Sequence, residues 1–309
     1  MGSINYVVYG KIIVDDVHLP DGRAIRGKLG GGGPQAAFGA RLWDESVGVL
    51  SRSGTDLQQA SLNTLRGLKV DLQGWRQVAD IPTPHCVMRY DGEEGLVEAR
   101  LTTSQEDWDR LLAEELRLPD DYLGAKALHL VTEFPGEQLV RLAMDLRSSG
   151  LVLSLEPLLT AGVPNQLDGM RTLLRYVDVV TPDWAAARLL AENDDPRTVV
   201  ERLSDLGPKL VAVRHGRHGS YLWDPSGRCA LHVPAPSVRV ADPTGAGNAY
   251  GGGLCVGWVK TGDAATAGSW ATASAAVLIC ERRTPTMGAR VRREARGMAQ
   301  HVMSAIRPL

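Results

Sequence analysis

Short β-branched or aliphatic runs alternate with helix-length amphipathic segments along almost the whole chain, and that alternation restricts the fold more than any other feature. Strands are expected at Tyr6–Tyr9, Val47–Ser51, Ala127–Val131, Leu151–Leu155, Val177–Thr181 and Leu210–Arg214. Helices are expected at Pro34–Trp43, Gly136–Ser148, Asn165–Arg175, Asp183–Ala191, Pro196–Leu206, Ala246–Lys260 and Asp263–Cys280. Strands separated by helices imply an α/β fold with a mainly parallel central sheet and helices on both faces. At 309 residues and 44% hydrophobic content, the chain can bury the core of one domain spanning 1–309.

Two stretches depart from the alternation. The segment 84–101, "PHCVMRYDGEEGLVEARL", reads as two strands around a glycine-bounded turn. Residues 12–33 have no crossover helix. Together they predict a small β lid over the main sheet.

Charge and cysteine usage exclude several functions. A formal net charge of -2 argues against nucleic acid or an anionic membrane as partner, and the arginines of 290–296 read as a solvated helix face. The four cysteines (Cys86, Cys229, Cys255, Cys280) are widely spaced, as expected of reduced thiols in a cytoplasmic protein. The apolar stretch Ala271–Cys280 is too short to span a bilayer. His215 and His218, three apart, lack a third metal ligand nearby and read as loop residues; no metal site is expected.

The stretch 240–253, "VADPTGAGNAYGGG", carries the chemistry. Each glycine inside a helix costs about 1 kcal/mol relative to alanine, so Gly251, Gly252 and Gly253 imply close packing or close ligand approach. Gly245-Ala246-Gly247 places bare N–H groups at a helix N-terminus, an anion site suited to a phosphate that gains charge during transfer. The adjacent polar side chain, Asn248, is an amide. There is no G-x-x-x-x-G-K-[ST] motif, and "GGGPQAAFG" follows the polar stretch "DGRAIRGK", which argues against a dinucleotide fingerprint.

Asp242 through Asn248 resembles the D-T-x-G-A-G-D signature of the ribokinase-like (PfkB) carbohydrate kinases. Other matches follow in order: Gly10 with Asp15, "LGGGGPQAAFGARL" (29–42), "VVTPD" (179–183) and "VRHGRHGSYL" (213–222). The likeness is greatest to a divergent branch that includes the yeast killer-maintenance protein. It implies a ribokinase-like fold and an ATP-dependent phosphotransferase, with Mg²⁺, acting on a small sugar, polyol or nucleoside-like metabolite. It places the anion hole at Gly245, Ala246, Gly247 and Asn248. Acceptor binding falls to Asp15, Gly32, Gly33, Gln35 and Glu156, and nucleotide binding to Asp183, Arg214, Gly216, Gly219, Asp242 and Thr244. A homodimer through the lid is expected, because Cys86, Met88, Leu96 and Val97 put apolar residues on both faces of a thin flap.

Three positions depart from the family pattern. Asn248 stands where the family has its catalytic Asp, Ala186 where it has the Glu of N-x-x-E, and Arg214 where it has Thr. An amide is no base near neutral pH, and losing a positioned base costs about 10²–10⁴ in rate. Several readings follow: a kinase using another base (Asp15, Asp16, His18 or Glu156), transfer to an acceptor that needs none, a pseudokinase or repurposed enzyme, or an introduced Asp→Asn exchange.

Overall fold

The computed structural model describes residues 3–92, 95–132, 137–159 and 166–309, the side chains of 137–142 excepted. The first half of the chain holds β1 (Tyr6–Tyr9), β2 (Ile13–His18), β3 (Ala24–Gly30), α1 (Gly32–Arg41), β4 (Val47–Gly54) and α2 (Gln59–Gly67). It continues with β5 (Asp71–Val78), β6 (His85–Tyr90), β7 (Leu96–Leu101), α3 (Gln105–Ala113), β8 (Ala127–Thr132) and α4 (Glu137–Ser148). Then come β9 (Val152–Pro157), α5 (Gln166–Leu174), β10 (Val179–Val180), α6 (Trp184–Ala191), α7 (Pro196–Asp205) and β11 (Leu210–Arg214). The chain closes with β12 (Ser220–Asp224), β13 (Cys229–Val233), α8 (Ala246–Thr261), α9 (Ala264–Ile279), α10 (Ala289–Met303) and β14 (Arg307–Pro308).

The main sheet has the order β14-β13-β12-β11-β10-β9-β8-β1-β4-β5. From β11 to β5 its strands are parallel; β12, β13 and β14 add an antiparallel edge. All six residues of β8 are buried, as both faces of a covered parallel strand must be. The second sheet, β3-β2-β6-β7, is built from the two stretches that depart from the alternation. The expected helix starts at Gly136 and Asn165 lie outside the described residues. Strands β5 and β12–β14 escaped the sequence reading because each mixes polar with apolar residues without a strong run. "DGRAIRGK" also forms most of a strand, β3, whose polar residues line the lid rather than a covered sheet.

The three consecutive glycines of α8 answer to three different neighbours, as successive 100° steps around a helix require. A Cβ on Gly251 would lie 2.7 Å from His129 Nε2. One on Gly252 would collide with the Ala36 carbonyl of α1, and one on Gly253 with Ser274 Oγ of α9. Packing, rather than ligand approach, explains this triplet. From α1, Gly39 reciprocates by admitting the Ala249 carbonyl. The two helices therefore touch backbone to backbone, fixing the start of α8 against the start of α1.

Gly252→Ala should lower stability by about 1–3 kcal/mol or more, because the clash is with helical backbone. Gly297→Ala, in α10 with open space around it, should instead raise it by about 0.5–1 kcal/mol. Urea unfolding of both variants checks the contrast.

Candidate active site

The carboxyl ends of the parallel strands, where open α/β sheets bind ligands, bring the predicted residues together. Helix α8 begins there. Asp242 Oδ1 accepts the Thr244 N–H at 2.9 Å, folding the approach into a tight turn. Gly245 caps the helix at φ +87°, a left-handed conformation that glycine adopts without strain. Ala246 N–H donates to the Pro243 carbonyl at 3.2 Å. The N–H groups of Gly247 and Asn248 lie in the first turn of α8, where no carbonyl of the helix can reach them.

A carboxylate does stand beside this turn, and it arrives from another strand. Glu156, near the end of β9, accepts from Asn248 Nδ2 at 3.0 Å and from Arg214 Nη1 at 2.7 Å. His129 Nε2 lies 3.8 Å from its other oxygen, an ion-pair distance too long for a hydrogen bond. His129 Nδ1 and Ser154 Oγ are 2.8 Å apart. Burial pushes the Glu156 carboxyl upward, but Arg214, His129 and Asn248 outweigh it and hold it below its ordinary value. An Asp at 248 would set a second carboxylate against Glu156; the amide supplies a donor instead. Asn248 and Glu156 are thus matched. Arg214 also packs so close to the first turn of α8 that a Cβ on Gly247 would collide with its guanidinium.

In the first turn of α1, Gly33 packs against the Gly10 carbonyl, where a Cβ would come within 2.7 Å. Asp15 is 1% exposed and neither carboxylate oxygen has a hydrogen-bond partner among the described residues. Burial pushes it from the ordinary 3.8 up to about 7; Lys28 pulls it down, while Asp242 and Asp16 push it up. Its carboxylate fills the place a Cβ would take on Gly30, and Asn248 Nδ2 lies 3.2 Å from the corresponding place on Gly32. Two residues of chain span at most about 7 Å, so Asp15 and Asn248 flank one short glycine run. Gln35 donates to the Leu29 carbonyl at 2.9 Å, while its own Oε1 is buried without a partner among the described residues.

Other candidates are placed differently. Asp16 and His18 alternate with Asp15 along β2 and so sit on its opposite face. Asp16 there accepts the Gly27 N–H at 2.8 Å. Neither shares the face of Asp15, so neither is positioned as a base beside it. Asp183 caps α6 by accepting from Ala186 N–H at 2.7 Å, and bridges to Arg214 in the sheet. Gly216 (φ +51°) and Gly219 (φ +85°) form the turn between β11 and β12, close to α8 through Arg214. His215 stacks on Trp184 at 4.8 Å, and its tilted neighbour is His218 at 4.7 Å. Two participants escaped sequence reasoning. His129 lies inside an apolar strand, and Lys28 lies in a polar stretch whose strand character was unrecognised. Lys28 Nζ is 2.5 Å from Asp242 Oδ2, with both side chains buried.

Fold and site together define a ribokinase-like α/β protein with a lid sheet. The family model described as "pfkB family carbohydrate kinase" matches residues 3–288, and the chain belongs to that family. It is 28% identical to a cytidine kinase of Thermococcus kodakarensis, over 83% of this chain and 89% of that one. A "putative Ribokinase II" from E. coli, solved with ATP and Mg²⁺, matches with TM-score 0.76 and 18% identity, covering 96% of this chain and 99% of that one. A Burkholderia thailandensis nucleoside kinase solved with inosine matches with TM-score 0.74 and 19% identity, covering 98% and 99%. Among the described residues no helix is long and apolar enough to cross a membrane.

Arg214→Met would leave the buried Glu156 charge without its cation, at a cost of about 3–5 kcal/mol. The lowered proton affinity of Glu156 contributes stability above its unfolded pKa, lost as pH falls through the folded one. The gap between wild type and variant should therefore be widest near neutral pH and shrink as pH falls, because the variant's Glu156, without its cation, takes up a proton first. Thermal unfolding across pH checks this.

Proposed function

We propose that the chain is an ATP-dependent kinase that phosphorylates a hydroxyl of a small nucleoside-like or sugar acceptor, with Asp15 as general base. The observation that carries this reading is the pair of buried, unpartnered Asp15 oxygens beside the glycine run that also borders Asn248. Unmet buried acceptors of this kind suit the hydroxyls of an acceptor. Between the two carboxylates of the site, Glu156 is held ionised by Arg214 and is a weak base, whereas Asp15 titrates near neutrality, where a general base works best. The Gly247 and Asn248 N–H groups would receive the transferring phosphoryl, with the Arg214 guanidinium close by. The nucleoside preference draws on the cytidine kinase and nucleoside kinase likenesses.

Mg²⁺ fits this site as a companion of the nucleotide phosphates, whose charge it neutralises when bound. Glu156 Oε2 has no hydrogen-bond partner among the described residues, and Asp183 is a further carboxylate at this strand edge. A second reading, a nucleotide-binding homologue without transfer, is favoured by Ala186, a buried methyl where the family has a carboxylate.

Turnover should rise with pH through about 7, because the active form of Asp15 is deprotonated. The groups around it are Lys28, Asp242 and Tyr90, with the charge of Asp16 acting from the opposite face of β2 and Cys86 its partner on β6. Asp15→Asn should cost about 10²–10⁴ in kcat and abolish that limb. Asp15 also binds its proton more tightly in the folded state than in the unfolded one. The stability this confers is complete below the unfolded pKa and lost as pH rises through about 7. Asp15→Asn should therefore raise the apoprotein Tm at pH 8. Transfer from labelled ATP to cytidine, other nucleosides and ribose tests the whole reading. No transfer to any acceptor would leave the pseudokinase.

The lid also serves as the interface of a homodimer in this reading. Leu96 and Val97, adjacent on β7 and hence on opposite faces, are 52% and 63% exposed in the single chain. Light scattering at about 10 μM, a range chosen for a specific interface, should give twice the monomer mass, falling to the monomer in Leu96→Asp/Val97→Asp.

A further inference from the structure

We propose that Lys28 is a positioning residue for phosphoryl transfer: a built-in monovalent cation, carried on the lid, that holds the Asp242–Thr244 turn and so sets the anion hole only while the lid is seated. The Lys28 ammonium is 2.5 Å from Asp242 Oδ2 and 3.4 Å from the Thr244 carbonyl. The lysine and aspartate side chains are 3% and 0% exposed. Asp242 spends its other oxygen on the Thr244 N–H at 2.9 Å, and Thr244 leads directly into the Gly245 cap. One ammonium thus fixes both ends of the turn that opens the helix.

The same lysine belongs to the lid. It lies on β3 directly across from Asp15 on β2, so it stands between the acceptor-side carboxylate and the cradle carboxylate. The Asp242 charge raises the proton affinity of Asp15, and Lys28 opposes that effect. A buried ammonium is tolerated only with its counter-charge, and a buried carboxylate likewise. A lid that lifts takes the ammonium with it, leaves Asp242 unpaired and loosens the turn. Acceptor closure and anion-hole assembly are then one event, which keeps the cradle from forming over water. The kinetic part of this inference rests on the kinase reading; the link between lid and turn does not.

Two measurements test it. In Lys28→Ala, kcat should fall about 10²-fold, the scale of losing transition-state charge stabilisation, with the KM for ATP within about threefold. Ammonium or potassium chloride should restore at least about tenfold of that loss. Choline chloride at equal ionic strength, whose cation is too large for the vacated place, should not, and wild type should respond to none of these salts. A folded variant that keeps its kcat, or that small cations fail to rescue, overturns the proposal. If Lys28→Ala does not fold in choline chloride, refolding in ammonium chloride supports the proposal and failure there overturns it. The second measurement needs no acceptor. Hydrogen exchange of Lys28→Met should quicken at least about tenfold in 24–30 and 242–248 together. Unchanged exchange in 242–248 overturns the link even if wild type phosphorylates nothing, in which case the kinase reading fails on its own.

Discussion

Everything at this site depends on how closely helix α8 approaches its neighbours. Backbone-to-backbone contact with α1, through Gly252 and Gly39, requires that neither position carry a Cβ. Gly251 makes the same allowance for His129 and Glu156 beneath the helix, and Gly253 for α9. With those four positions bare, the first turn of α8 meets the strand ends and the glycine run of α1 at once. Larger residues would separate the start of α8 from the start of α1, and no side-chain adjustment could close the gap, because the colliding atoms at Gly252 and Gly39 are backbone.

That close approach explains the charge pattern. The departures from the family pattern at Asn248 and Arg214 look like two separate defects in the sequence. In space they meet on one carboxylate, Glu156, which takes a hydrogen bond from each. A buried carboxylate with an amide donor on one side and a guanidinium on the other is stable as an ion, and it would resist a second acid at 248. Ionisation at Glu156 and proton affinity at Asp15 are therefore set apart by their surroundings: one has donors, the other has none. Paired groups pushed in opposite directions are how a single site divides its proton chemistry.

The lid contributes charge as well as cover. Asp15 and Lys28 face each other across β2 and β3, so the small sheet buries one carboxylate and brings one ammonium to Asp242 before α8. A strand with this polarity would be unstable as a covered central strand. The buried Lys28 persists here because Asp242 of the main domain pairs it.

The sequence by itself determined the parallel α/β architecture, the lid segments and the glycine-cut start of α8. These follow from local rules: hydrophobic period, helix and turn chemistry, and the cost of glycine in a helix. Through the family resemblance it also pointed to Asp15 and Glu156 as acceptor-binding carboxylates. The tertiary structure alone decided which of them is free. Glu156 is bound by residues 58 and 92 positions away, Arg214 and Asn248, and Lys28 meets Asp242 across 214 positions. No local pattern encodes such pairs, because in the unfolded chain those groups are solvated independently. Only burial removes the water and makes each charge depend on the partner that the fold brings to it.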